Sequence, residues 1–292
     1  LTLILQILID GFAISALYAL GALGFTLIFG VSGVLNLAHG AVLVTSAMVA
    51  WYIGTNEAAG AFSGAASGVL AGVITAFMTY AVVVRPIQHS KVIPEGEREL
   101  FVLTGTLLWG VMLQIGLGYI FTTTPVTVHQ LVSGTVNILA VRTPSNEILI
   151  AVISWLTLGL LWLLVNRTPA GKRLLAASIN PRGLTLVGVE LDQVHLLAWG
   201  IYGVIAGFAG VLLGSFLGTS SAYIPALTGT AFSIVVLGGL GSVTGTVIAA
   251  YVVGYIETLT AYLVSPSLRA VPALILLVLV LYFRPQGILG RR

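Results

Sequence analysis

The sequence predicts an all-α fold, a polytopic bundle of transmembrane helices, and three observations carry that expectation. Of 292 residues, 58% are hydrophobic and 7% charged, with a mean hydropathy of +1.09, whereas about a quarter of residues are charged in soluble domains. Two long runs contain no Asp, Glu, Lys or Arg, residues 11–56 and residues 193–256. A bilayer core takes about 20 apolar residues per helix, so each run holds two or more crossings. The 12 Lys and Arg residues gather into a few connections instead of spreading along the chain.

Taken in order, hydrophobic segments fall at 3–29, 34–53, 62–84, 100–121, 148–165, 194–217, 226–240, 243–264 and 270–283, about nine within a range of eight to ten. The first is too long for a signal-peptide core and has no basic residues before it, so it reads as a retained span. Segment 226–240 is short for a crossing and reads as a full span or as half of a broken one. The connections are too short for a separate soluble domain, so residues 1–292 read as one transmembrane domain with 167–192 as a cytoplasmic loop.

Counting spans in this way puts Arg85, Lys91, Arg98, Arg167, Lys172, Arg173, Arg182, Arg284, Arg291 and Arg292 on one side, leaving only Arg142 and Arg269 on the other. By the positive-inside rule the first side is cytoplasmic. The N-terminus is then outside and the C-terminus inside. Connection 122–146, with Pro125, His129, Gly134 and Pro144, reads as the main external loop, and 85–99, with both charge signs, as a solvated surface connection.

Polar residues interrupt both charge-free runs. In the first, Ser32, Gly33, Asn36, His39 and Gly40 stand in the middle of 46 uncharged residues; in the second, Gly238, Gly239 and Gly241 lie within Leu237-Gly-Gly-Leu-Gly-Ser242. Non-helical backbone at membrane depth is tolerated where protein surrounds it or water reaches it. Glycine-interrupted segments in corresponding positions of two halves point to a transporter's solute site. Both breaks are therefore candidates for a solute path. By contrast, Gly200, Gly203, Gly207, Gly210 and Gly214 read as a face for close helix crossing. Glu257, a carboxylate inside a late span, reads equally as an interhelical contact or a path residue, with Arg269 the nearest external cation in sequence. Asp10, in the first span, reads as bonded to backbone or water near the outer interface.

The loop 167–192 should fold as two short helices. Thr168 suits an N-cap, Pro169 a first helical position and Gly188 a C-terminal cap, while Pro181 stops the first helix. Leu174, Leu175, Ala177 and Ile179 form an apolar side, with Lys172 and Arg173 reaching water or acidic groups. Such a segment lies on the membrane surface or docks a cytoplasmic partner.

Several chemistries are unsupported. There is no Cys, the four His have no metal-ligand spacing, no catalytic grouping of nucleophile and base stands in any span, and no basic face suits nucleic acid. The chain contains no G-x-x-x-x-G-K-[ST] sequence, so any ATP-driven motor is another subunit.

Taken together, Ala19-Leu-Gly-Ala-Leu-Gly-Phe-Thr-Leu-Ile-Phe-Gly30, Asn36-Leu-Ala-His-Gly40, Arg85-Pro-Ile, Ser90-Lys91, Gly171-Lys-Arg, Leu237-Gly-Gly-Leu-Gly-Ser242 and Arg284-Pro-Gln-Gly-Ile-Leu-Gly290 resemble one family across essentially the whole chain. This is the family of permease subunits of ATP-binding-cassette importers for branched-chain amino acids, of the Liv type. The resemblance implies a prokaryotic plasma-membrane protein in which the loop holding Gly171, Lys172, Arg173, Leu174, Ala177, Arg182 and Gly188 docks on a cytoplasmic ATPase subunit. It also implies a second permease subunit, a paralogue or a second copy, and an extracytoplasmic substrate-binding protein that sets much of the selectivity. No cofactor is expected in this chain, ATP being bound by its partners. Where the family often carries acidic residues in the loop, Ser178-Ile-Asn-Pro-Arg182 stands here. The expected function is passage of branched-chain or other small amino acids. The alternative is a proton-coupled secondary transporter using His39 or Glu257, or a channel for a small polar solute such as urea or an amide.

Overall fold

Helix α1 (Thr2–Ser32) is the axis of the molecule. Its 31 residues rise about 46 Å without a break, and most of its middle is buried against α6, α9, α10 and α11. The computed structural model describes residues 2–55, 60–138, 141–284 and 286–290. After α1 come α2 (His39–Thr55) and α3 (Gly60–Thr79), which runs through a π-helical turn (Tyr80–Val84) into α4 (Arg85–Gln88). Helix α5 (Arg98–Ile120) leads to an antiparallel hairpin, β1 (Thr135–Ile138) with β2 (Val141–Pro144). Then follow α6 (Ser145–Arg167), α7 (Pro169–Ile179), α8 (Pro181–Leu186), α9 (Leu191–Phe216), α10 (Ile224–Gly238), α11 (Val243–Leu263) and α12 (Val271–Phe283).

Among the described residues, eight helical stretches are long and apolar enough to cross a membrane. The segment the sequence marks as short, α10, has 15 residues, and α2 is short as well. Residues 221–238 make an 18-residue stretch by joining a 3-10 turn to α10, whereas α2 has only 17 residues. Helix α2 is short because residues 33–38, which precede it, are not helical.

Lipid tails are as apolar as leucine, so helices in a bilayer associate by close packing and interhelical hydrogen bonds more than by hydrophobic drive. The glycines show this. A Cβ on Gly203 or Gly207 would lie 2.8 Å from backbone of α3, and one on Gly210 would lie 2.2 Å from the Leu43 carbonyl oxygen of α2. The glycine face of α9 therefore packs α3 and α2, as its spacing suggests. Helices α1 and α11 meet in the same manner: a Cβ on Gly254 would sit 2.4 Å from Ser15 Oγ, and Thr26 and Thr246 hydroxyls lie 2.7 Å apart.

Polar ties close the end where α1 begins. Tyr18 donates to Glu257 Oε2 at 2.7 Å, Arg269 lies 3.7 Å from the same oxygen, and Tyr262 donates to Asp10. Asp10 thus bonds a side chain of α11, a more specific partner than the backbone or water the sequence suggests. The hairpin packs β2 on α1 and α6, and Val126 bridges Thr219 beyond α9. At the opposite end, Arg85 of α4 pairs with Asp192 of α9 at 3.4 Å, with His89 Nε2 3.1 Å from that carboxylate. There the tail returns to α10: the Ile288 and Leu289 amides donate to the Leu237 and Gly238 carbonyls at 2.8 and 3.1 Å.

Candidate functional site

The first break is an extended segment inside the bundle. Gly33 takes φ of +68°, a conformation that favours glycine, and ends α1. Near Gly30, α1 meets Gly241 beyond the end of α10, while Gly40 packs on Ile224 and Thr228 at the start of α10. Residues 30–40 therefore travel most of the length of α10, about 20 Å. Side chains satisfy the freed backbone. The Leu37 amide donates to Thr106 Oγ1 at 3.1 Å, the Ala38 amide to Asn36 Oδ1 at 3.1 Å, and the Gly40 amide to Thr228 Oγ1 at 3.0 Å. Asn36 thus closes an Asx turn just before α2.

Asn36 and His39, 1% and 0% exposed, meet at one phenol. Asn36 Nδ2 donates to the Tyr202 hydroxyl at 3.0 Å, and His39 Nδ1 lies 3.0 Å from the same oxygen. Accepting from Asn36 leaves the Tyr202 hydroxyl to give its own proton to His39 Nδ1, which places the ring proton on Nε2. That nitrogen is buried without a hydrogen-bond partner, and His39 borders a cavity of about 20 Å³ shared by α1, α2, α9 and α10. Ser32 Oγ is likewise buried and unpartnered. Tyr202 escapes a reading of the sequence because it lies 163 residues from His39. The one signal is a phenol in a glycine-rich span, since a buried tyrosine hydroxyl usually has a partner.

The second break is a tight turn. Gly239 and Gly241 have φ of +102° and +80°, and a Cβ on Gly238 would stand 2.5 Å from Gly245 backbone. A Cβ on Gly239 would stand 2.5 Å from the Gly290 amide nitrogen. The tail covers this turn, and Gly241 reaches across to α1, at Gly30 and Phe29. Glu257 is brought to neither break. It lies 14 residues beyond the start of α11, about 21 Å along the helix, held by Tyr18 and Arg269.

The loop forms both expected helices. Thr168 Oγ1 accepts the Gly171 amide at 3.0 Å, Pro169 and Pro181 occupy first-turn positions, and Gly188 closes α8 with φ of +82°. A Cβ on Gly171 would stand 2.1 Å from the Leu164 carbonyl, so α7 lies hard against the end of α6. Leu174 and Ala177 are buried, but Leu175 and Ile179 are exposed. The apolar side suggested by the sequence is thus divided: two members hold α7 to the bundle and two face away with Lys172 and Arg173. Arg182 is exposed on α8. Among the described residues, no group of three His, Cys, Asp or Glu could hold a metal ion.

Comparison with known proteins gives this geometry a context. Residues 7–282 match a family model described as branched-chain amino acid transport system, permease component. The chain is 30% identical over 305 residues to the high-affinity branched-chain amino acid transport system permease protein LivH of Escherichia coli, covering 98% of this chain and 96% of that protein. It is 29% identical over 296 residues to the corresponding permease BraD of Pseudomonas aeruginosa, with the same coverage of 98% and 96%. A shorter likeness, 30% over 133 residues, links 40% of the chain to 36% of the autoinducer 2 import system permease protein LsrC of Yersinia pseudotuberculosis. A match through nearly all the spans, both breaks and the intervening loop places this chain in the family of branched-chain amino acid transport system permease components.

Proposed function

We propose that the chain is the membrane-spanning permease subunit of an ATP-driven importer, carrying branched-chain or related small amino acids across a prokaryotic plasma membrane. Its N-terminus lies outside and its C-terminus in the cytoplasm. The chain performs no covalent chemistry and holds no cofactor; cytoplasmic ATPase subunits bind ATP, a second permease completes the route, and an extracytoplasmic binding protein delivers the solute.

One observation carries the coupling reading: the α7–α8 unit is two-faced. Gly171, Leu174 and Ala177 anchor it to the bundle, while Ile179, Leu186 and Val187 are 72%, 87% and 75% exposed in a connection between spans. Exposed apolar side chains in the same connection as the exposed Lys172, Arg173 and Arg182 suit a protein partner. Helix α9 leads from this loop toward the first break. Asp192 fastens its start to Arg85, and Tyr202, 11 residues past Leu191, holds Asn36 and His39 about 16 Å farther along. A push on α7 and α8 is thereby delivered to the extended segment. The titratable groups on which a proton-coupled alternative would rely, His39 and Glu257, are both buried and engaged by neighbours.

The test is reconstitution with the cognate ATPase, second permease and binding protein in proteoliposomes. L-Leucine uptake should require ATP and be indifferent to an imposed proton gradient. The double substitution Lys172→Glu, Arg173→Glu and the single substitution Leu186→Asp should each reduce co-purification of the ATPase. Undiminished association in both, or uptake driven by the proton gradient alone, would overturn the proposal.

A further inference from the structure

Between α5 and α10 runs a groove of about 230 Å³, bounded by Leu107, Val111 and Gln114 on one side and Gly229 and Phe232 on the other. Leu37, from the extended first break, also lines it. We propose that this groove is the solute-reading wall of the route: it holds the aliphatic side chain of the transported amino acid while the Gln114 amide hydrogen-bonds the polar end. The assignment rests on the permease reading above.

Gln114 is the first reason. Helix α5 is an apolar span, and its other interior polar side chains have partners: Thr104 bonds Leu100, Thr106 bonds the first break, and Trp109 bonds Thr79. The half-buried Gln114 side chain makes no hydrogen bond within the described residues. An amide turned to lipid with nothing to bond is costly, and polar side chains in membrane spans face bundle interiors or water-filled cavities. The groove therefore faces water, solute or a partner subunit and not lipid.

Gly229 is the second. The glycines of α9 are needed because another helix's backbone lies within a Cβ radius, but nothing stands within 4 Å of a Cβ placed on Gly229. A glycine inside a helix costs about 1 kcal/mol against alanine. No packing contact accounts for that cost at Gly229, as none does at Gly116 or Gly159, and what sets Gly229 apart is that its open space belongs to the groove. Leu37 supplies the third reason, since non-helical backbone at membrane depth lies within protein or beside a cavity, and here its side of the bundle borders this one. Aliphatic and aromatic walls with one amide suit a small molecule that is apolar at one end and polar at the other.

The absence of cysteine makes the test direct. Gly229→Cys and Gln114→Cys would be assembled into the complete transporter in proteoliposomes and exposed to a water-soluble methanethiosulfonate. Both should react, and L-leucine supplied through the binding protein should slow the reaction where glycine does not. In uptake assays, Gly229→Phe should abolish L-leucine transport while the ATPase still co-purifies. Gln114→Leu should raise KM about ten-fold, the value of one hydrogen bond to a charged group, with Gln114→Asn restoring much of it. Reaction only with a lipid-soluble maleimide would show a lipid-facing groove. Oxidative cross-linking to a second permease without loss of uptake would show a subunit contact, and either result overturns the assignment. So does undiminished transport by Gly229→Phe. If the unsubstituted complex transports L-leucine on ATP but gives no protection, only the groove assignment fails; if it shows no ATP-driven uptake, the permease reading falls, taking this inference with it.

Discussion

Tyr202 shows how much one hydroxyl can hold in a bilayer. It accepts from Asn36 and lies within hydrogen-bond distance of His39, so Tyr202→Phe strands two buried polar groups at once. Each stranded group costs about 1–3 kcal/mol. Thermal unfolding in detergent should show a clear fall in midpoint, and uptake should drop while the ATPase remains associated. An unchanged midpoint would mean that Asn36 and His39 find other partners. Glu257 invites a paired test. In Glu257→Gln the amide oxygen still accepts from Tyr18, and what is lost is attraction to a partly exposed Arg269, which is about 1 kcal/mol or less. In Glu257→Ala the Tyr18 hydroxyl is left buried without its acceptor, a loss of about 1–3 kcal/mol. Equal midpoints for the two variants would contradict this. Abolished uptake in a stable Glu257→Gln would place Glu257 on the solute path.

At the scale of elements, the loop between α6 and α9 was legible because capping is local chemistry. Thr168, Pro169, Pro181 and Gly188 act within a few residues of themselves, and the structure puts each where such a residue belongs. The breaks were legible as positions but not as shapes. A polar interruption near residue 36 looks the same whether it turns between two spans or climbs through the bundle. What decides between them is Thr106, Thr228 and Tyr202, between 69 and 188 residues away. The same distance hid the division of α7, since which of its leucines packs depends on where α6 ends. Glycine tells a parallel story, because sequence alone gives every glycine the same meaning. A Cβ on Gly210 would lie 2.2 Å from the Leu43 carbonyl, whereas one on Gly159 meets nothing within 4 Å. Gly210→Ala should therefore force α9 from α2 and lower the unfolding midpoint. Gly159→Ala, free of contacts and relieved of glycine's backbone freedom, should be neutral or stabilising by about 0.5–1 kcal/mol. A destabilised Gly159→Ala beside an unaffected Gly210→Ala would mean that the helix contacts are wrongly placed.

Orientation is a property of the whole molecule, and the proposed one is argued from where the charges stand. Ten of the 12 Lys and Arg fall on one side of the membrane when the spans are counted in alternation, and translocating any of them would cross the positive-inside bias. The pairing of helices agrees with that alternation. Helix α1 meets α11 with Gly11 near Tyr255 and Thr26 near Thr246, and it meets α10 with Gly30 near Gly241. Helices α1 and α10 thus run one way and α11 the other, as odd and even crossings must. Helix α2, though short, still counts as a crossing, because α3 returns along it with Gly64 near Gly54 and Gly72 near Ser46. Removing it from the count would leave the ten basic residues together and move the N-terminus to their side. Two substitutions in the cysteine-free chain decide the matter. Ser178→Cys, on the exposed side of α7, and Thr124→Cys, in the connection after α5, are both water-accessible positions. In intact cells a membrane-impermeant maleimide should label Thr124→Cys alone, and in inside-out vesicles Ser178→Cys alone. Labelling of both from one side would break the alternation between α5 and α7, and the exchange of the two patterns would invert the protein and place the α7–α8 surface beyond reach of any cytoplasmic ATPase.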